Sequence, residues 1–427
     1  MKIRISILLA IMISLTTGLH AQTNSTSPYS RYGIGDLFNS FHGQFQGMGG
    51  SAIAIRTPDH INFYNPASYT AFDSLSFIFE TGIHARLSKF ESNISSKTNG
   101  EMNFSYLAGG FKIKKWWSAS FGLVPYSSVG YNIQQLGMIL LPEGEWQNYK
   151  TYYTGAGGLN QVFIGHSFQF FNHLSLGFNA NYLFGSIDHT RIVNFLEPDG
   201  SSSASYFNTK YSNKYVVSDL SYDLGAQYYY TFKNAYKLTF GATYMHDNQL
   251  DAFLNEYIEK SNTAGLVDTL LNVDHENGSI DLPKKIGLGA SFTTDKLIIT
   301  ADYQQQNWSQ ALFLGRQDSL SDSRRYSLGA EIIPNPRNIL NVWARSRYRV
   351  GGYFSETYLT LNGNQLSDYG ISFGIGIPVS RSKSIINVNV VLGSKGTLDS
   401  NLIRENYGLL SLSLSLHDIW FLKRKFD

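Results

Sequence analysis

From Leu75 onward the chain alternates apolar and polar residues with a period of two, and it does so many times over. In the first such stretch Leu75, Phe77, Phe79, Thr81, Ile83, Ala85 and Leu87 fall on one side, with Ser76, Ile78, Glu80, Gly82, His84 and Arg86 on the other. Successive side chains of a strand point to opposite faces, so the first set is predicted to face lipid and the second a polar lumen. A half-buried soluble sheet would show the same period, and one strand decides nothing. The recurrence decides: strands are expected near 74–87, 101–113, 117–126, 150–170, 174–186, 214–231, 236–248, 285–293, 296–307, 324–333, 341–352, 367–377, 384–394 and 407–420, about fourteen, an even number as single-chain bacterial barrels require. Their connections alternate in length. Turns at Lys114–Trp116, Phe171–His173, Phe232–Asn234, Thr294-Asp295, Pro334–Pro336 and Pro378–Lys383 are short, while 88–100, 127–149, 187–213, 249–284, 308–323, 353–366 and 395–406 read as long loops. Short turns at one rim and long loops at the other place both termini on the periplasmic side.

The N-terminus and the composition narrow the class. Lys2 and Arg4 precede an apolar run from Ile5 to Leu15, and Leu19-His20-Ala21 follows, so residues 1–21 are expected to be a signal peptide. With no cysteine there is no disulfide framework and no thiolate metal site. Beyond residue 21 no window approaches the roughly 18 uninterrupted apolar residues of a membrane helix, so a membrane location requires a barrel. With 28 Tyr, 28 Phe and 39 Gly but only 15% charged residues and a net charge of +2, a soluble enzyme and a nucleic-acid binder are both disfavoured.

Ahead of the first strand, residues 22–72 show neither helical nor strand period. Their centre is Phe45-Gln46-Gly47-Met48-Gly49-Gly50-Ser51-Ala52, whose small residues permit close backbone packing, and Asn65-Pro66-Ala67 reads as a turn. Met48–Ala52 and Asn65–Ala67 resemble the N-terminal hatch of the FadL/TodX-type superfamily of outer-membrane transporters of hydrophobic compounds. Leu282–Gly289 leading to Ala301-Asp302-Tyr303 and Trp308-Ser309 resembles a hairpin of the same family. The resemblance implies an all-β fold, a transmembrane antiparallel barrel of about 14 strands (73–421) with an N-terminal luminal plug (22–72) and a periplasmic tail (422–427), in the bacterial outer membrane. It marks Gly47, Gly49, Gly50, Asn65, Pro66 and Ala67 as the hatch motif. It also implies a protein that binds or passes fatty-acid-like or aromatic molecules, in contact with outer-membrane lipid and not with nucleic acid. The chain departs from the transporters in Ser27–Asp36, in Gly352–Leu359 and in Ile403–Tyr407. Those blocks resemble Bacteroidetes branches of the family, which implies the alternative: a non-transporting subunit with secretion or assembly partners.

Chemistry is sparse. No phosphate-binding loop, His-Glu-x-x-His or Gly-x-Ser-x-Gly signature occurs, and Gly287-x-Gly289 and Gly374-x-Gly376 read as lumen-facing strand glycines. His166-Ser167 lies on a strand, where neighbours face opposite ways. No catalytic residue, metal site or cofactor is expected. Leu136, Met138, Ile139 and Leu140 in one loop, with Phe253 and Leu254 in another, are candidates for a hydrophobic ligand groove. In the third strand Gly122 and Pro125 are candidates for a kink, because proline cannot donate to the ladder and glycine weakens it. In the family a kink there opens the wall sideways to the bilayer.

Overall fold

The computed structural model describes residues 27–38, 42–197, 199–232, 236–263, 265–313, 316–317, 320–338, 340–379 and 383–420. Fourteen long strands form the wall: β1 (Ser76–Glu91), β2 (Ser96–Lys114), β3 (Trp117–Pro125, continuing as Ser127–Leu140), β4 (Trp146–Phe170), β5 (Leu174–Phe195), β6 (Asn208–Phe232), β7 (Tyr236–Met245, continuing as Asn248–Ser261), β8 (Val267–Leu282, continuing as Lys285–Thr293), β9 (Leu297–Gln306), β10 (Ser323–Ile332), β11 (Arg347–Leu361), β12 (Asn364–Pro378), β13 (Ile385–Lys395) and β14 (Arg404–Ile419). Each pairs antiparallel with its neighbour in sequence, and β14 returns to β1, with Ser76 opposite Ile419 and Glu91 opposite Arg404. The sheet is therefore a closed barrel, the form in which strands can cross lipid without an unpaired edge.

Side chains sort as the alternation predicts. On β1, Ile83 and Leu87 are exposed while Ser76, Ile78, Glu80 and His84 are buried. On β14, Leu410, Leu412 and Leu416 face out while Ser411, Ser413 and Ser415 are buried. The Ile371 and Phe373 side chains of β12 face out between the inward Ser372 and Gly374.

The expected loop lengths need correction. Residues 127–149, 187–213 and 249–284 are largely strand: Val129 to Leu140 pair with Gly157 to Trp146, and Asn248 to Ser261 pair with Leu282 to Val267. Val129, Ile187, Leu250 and Ile280 of these outer halves stay buried in one cluster with Tyr29 and Ile34, whereas from Asn132 to Leu140 most side chains on both faces are exposed and the apolar period fades although the backbone ladder continues. The expected loop 353–366 is a two-residue turn, Asn362-Gly363, with both residues at positive φ (49° and 77°). At the opposite rim the strand expected from 341 begins at Arg347. Asn341 Oδ1 accepts from the N–H groups of Trp343 and Ala344 and starts a one-turn helix, Val342–Arg345, so this connection is longer than Pro334–Pro336. The boundaries expected at 1–21 and 422–427, the turn residues Lys233 and Asn234, and the closing Phe421 lie outside the described residues.

Ahead of β1 the chain packs on the inner face of the barrel in two parts. Residues 27–38, the outer strap, lie against the outer halves of the strands; residues 42–72, the inner segment, lie below them.

Candidate functional site

The inner segment is held by its own backbone as much as by side chains. Gly43–Met48 form a 3₁₀ helix that ends on Gly49 and Gly50, at φ 66° and 81°, conformations that favour glycine. The Gly49 N–H donates to Ser372 Oγ at 2.8 Å and its carbonyl accepts from Arg325 at 3.1 Å. A Cβ on Gly49 would run into the Gly352 carbonyl of β11, and one on Gly47 would lie 2.7 Å from Asn389 Oδ1. The wall answers with glycines of its own. A Cβ on Gly329 would lie 2.5 Å from the Met48 carbonyl oxygen, and one on Gly374 would lie 3.1 Å from the Gly47 Cα. Gly287 makes room for the Ile53 side chain and Gly289 for Ile53 Cβ and the Ala54 nitrogen, so these strand glycines seat the inner segment.

Asn65, Pro66 and Ala67 act as one joint. Asn65 Oδ1 accepts from the Ala67 N–H at 3.1 Å and starts the 3₁₀ helix Pro66–Ala71, with Pro66 where its missing N–H costs nothing. Its amide donates to Ile53 O at 2.8 Å and to Ala226 O, on β6, at 3.2 Å. The Ala67 carbonyl accepts from Ser175 of β5 at 2.6 Å and from Arg56 at 3.2 Å. Gly47, Gly49, Asn65, Pro66 and Ala67 thus meet inward-facing residues of the wall, while the Gly50 N–H closes the turn onto Phe45 O at 2.9 Å. Sequence reading gives no task to their wall partners: Ser372, Asn389, Gln227 and Ser175 are polar residues at inward positions, and Asp302 stands out only as part of the Ala301-Asp302-Tyr303 hairpin motif.

Charges are paired in this layer. Asp59 meets Arg347 at the foot of β11, Arg349 Nε lies 2.6 Å from Glu331, and His60 Nδ1 lies 2.8 Å from Glu80. Burial acts to raise the Asp59 carboxyl, but Arg347 and the nearby His60 and His417 hold it below the usual range. Burial, with His84 close by, pushes the His42 imidazole down to about 3.

The outer strap joins the three sequence blocks that departed from the transporter pattern. The Tyr29 hydroxyl donates to Ile403 O and accepts from the Ile403 N–H at 2.9 Å. The Tyr358 hydroxyl donates to Gly35 O, and Lys395 pairs with Asp36. Ile34 sits in one apolar cluster with Trp308, Tyr358, Leu359 and Leu402. Ser27–Asp36, Gly352–Leu359 and Ile403–Tyr407 are one packed unit, a relation no local pattern reveals.

β3 bends where proline was noted. Its ladder with β2 runs from Lys114–Trp117 to Leu107–Leu123 and, among the described residues, goes no further. Its ladder with β4 continues through Pro125, opposite Asn160, and resumes at Val129, opposite Gly157. Beyond the bend, Ser127 and Ser128 pair with Leu37 and Asp36 of the strap, and Phe38 N–H donates to Tyr126 O at 3.0 Å. Gly122 still pairs with Ala108. It is required for another reason: a Cβ would lie 2.6 Å from Leu107 O and from the Phe163 ring. Behind the bend is a cavity of about 120 Å³ lined by Pro125, Tyr126, Phe63, Tyr64 and Lys285. A second, of about 150 Å³, lies beside it between strap and inner segment, lined by Arg86, Asp368, Lys395 and Tyr407.

The candidate groove residues lie in two places. Leu136, Met138, Ile139 and Leu140 sit on the projecting β3–β4 hairpin, the first two 72% and 65% exposed. Phe253 faces out from β7, and Leu254 lines a cavity of about 540 Å³ formed by β5 to β8. His166 Nδ1 accepts from the Trp117 indole at 3.2 Å, away from the buried Ser167 on the opposite face. No three metal-ligating side chains converge among the described residues.

A family model, BamG, matches residues 2–427. The chain belongs to the BamG family. No curated protein matches it. Solved barrels match the fold of this BamG family member at low identity. The Pseudomonas putida toluene transporter TodX is 14% identical with a TM-score of 0.58, covering 92% of this chain and 99% of its own. The Ralstonia pickettii toluene transporter TbuX is 13% identical with a TM-score of 0.57, covering 88% and 98%. The monoaromatic hydrocarbon channel CymD is 14% identical with a TM-score of 0.56, covering 90% and 98%. The fold is that of the FadL/TodX-type outer-membrane barrels, and these neighbours are channels and transporters rather than enzymes.

Proposed function

We propose that this protein is a plugged outer-membrane barrel that serves as a non-enzymatic, non-transporting subunit of a secretion or outer-membrane assembly complex. The observation that carries this reading is how tightly residues 42–72 are fixed to the wall. The inner segment is bound to the wall by buried ion pairs and by backbone contacts with no space for a side chain, from Gly47 against Gly374 to Asp59 against Arg347. A gate that swings open would break several of these at once, each leaving a buried group unsatisfied. Membership of the BamG family is consistent with the subunit role, and the likeness to hydrocarbon channels extends to the fold. The exposed apolar residues Leu136, Met138 and Ile139 on the β3–β4 hairpin suit contact with another protein. Depleting the protein in cells tests the reading: other outer-membrane proteins should fall in amount while uptake of an apolar tracer is unchanged. A selective loss of tracer uptake with normal amounts of the other proteins would reverse the assignment.

The bend in β3 favours a second reading, passage of a hydrophobic small molecule sideways through the wall. It is supported by the end of the β2–β3 ladder at Leu123 and by the cavity behind Pro125. On that reading Pro125→Ala slows uptake of an apolar tracer while the barrel stays folded; unchanged uptake removes the lateral route.

A further inference from the structure

The outer halves of β5 to β8 curve around the cavity of about 540 Å³, closed on its inner side by Arg31 and Gly33 of the strap. Its size falls within the roughly 300–1,000 Å³ usual for small-molecule sites. The lining follows from register. Asn213 stands opposite His189 on one side and Glu256 on the other, and Leu254 stands opposite both Tyr215 and Glu276. The period of two brings Tyr211, Asn213 and Tyr215 to the same face of β6, and all three line the cavity. The Asn213 amide donates to the Tyr211 hydroxyl at 2.9 Å and to the Tyr215 hydroxyl at 3.5 Å. Its Oδ1 is shielded from solvent and accepts from no described group. The Tyr131 hydroxyl lies 2.7 Å from His189 Nδ1, and the Arg31 guanidinium sits 4.6 Å over the Tyr153 ring, which holds both cavity-facing groups in place.

This chemistry excludes most occupants. A hydrocarbon would strip water from Asn213, Glu256 and Glu276 and return no hydrogen bond. An anion would meet two carboxylates against a single guanidinium. A neutral saccharide satisfies every group: its hydroxyls donate to Glu256, Glu276 and Asn213 Oδ1 and accept from Arg31, and the apolar faces of its rings can lie on Tyr211 and Tyr215. We propose that this cavity binds a neutral saccharide at the outer mouth of the barrel. The site is distinct from the cavities behind the β3 bend and needs neither reading of the barrel's role.

Chitotriose and maltotriose are the probes, titrated by calorimetry into the full-length protein purified in a detergent with no sugar headgroup. At least one binds saturably. Asn213→Leu and Glu256→Leu each weaken it about tenfold or more, as loss of a hydrogen-bonding partner implies, whereas Leu136→Ser on the distant hairpin does not. Retained heat-modifiable migration on gels confirms each barrel is folded, and should Asn213→Leu fail there, Glu276→Leu at an exposed position takes its place. No binding of either sugar, or the same affinity in folded wild-type and Glu256→Leu proteins, would overturn the proposal. So would tighter binding of spermine than of either sugar, which would make the cavity a cation site.

Discussion

The Asp302 carboxylate, on β9, accepts the backbone N–H of Ala52 at 2.6 Å, and the same oxygen accepts that of Ile53 at 2.9 Å. One side chain of the wall thus closes two otherwise orphaned donors of the inner segment. Asp302→Ala leaves both buried and unpaired, at about 1–3 kcal/mol each. Hydrogen exchange across residues 45–55 should accelerate accordingly while the barrel strands stay protected, and Asp302→Asn, which keeps an acceptor, should lose less.

Gly49 and Gly144 both have positive φ, 66° and 88°, but different surroundings. A Cβ on Gly144, in the tip of the β3–β4 hairpin, meets nothing within 4 Å. Gly144→Ala should therefore cost only the backbone strain of about 1–2 kcal/mol. Gly49→Ala adds a collision with the Gly352 carbonyl and should unseat the inner segment. Limited proteolysis checks the contrast: new cleavage inside residues 42–72 is expected for Gly49→Ala and not for Gly144→Ala.

Acid should loosen the inner segment in two stages. His42 is a base whose folded value, about 3, lies below its ordinary 6.5, so the stability from its neutral form is complete above 6.5 and falls as pH drops toward 3. The full span corresponds to about 5 kcal/mol. Asp59 is an acid held below its ordinary value, so its share is present above the usual carboxylate range and is lost as pH falls through the lowered value. A pH series of hydrogen exchange in residues 42–63 should show both stages, and His42→Leu should remove the first.

The alternation of β1 and β14 was readable because lipid lies on one side and a packed interior on the other, so each residue's polarity reports its face. The same cue failed at Asn132–Leu140, where water lies on both sides and polarity carries no direction. Gly47, Gly49 and Asn65 stand out in the sequence because close backbone approach demands glycine at the first two and a helix cap is favoured at the third. Their partners do not, since Ser372, Asn389 and Ser175 differ in no local way from any other polar inward residue. The meeting of Tyr29 with Ile403 and of Tyr358 with Gly35 spans more than three hundred residues of sequence and follows only from barrel closure.

On the β3–β4 hairpin, Leu136 and Met138 are 72% and 65% exposed, so Leu136→Asp with Met138→Asp should change barrel stability by no more than about 0.5 kcal/mol each. If the hairpin contacts another protein, the charges should nonetheless weaken that association. Comparing heat-modifiable migration with co-purification yield separates the two effects.

The subunit role is tested most directly by the mass of the particle that this protein occupies when native outer membranes are solubilised gently and purified through a tag on the chain. A particle well above the 47.9 kDa chain, with large partners in fixed stoichiometry, is the expected result. A lone barrel with hydrocarbon tails bound behind Pro125 would contradict it and leave hydrophobic transport as the function.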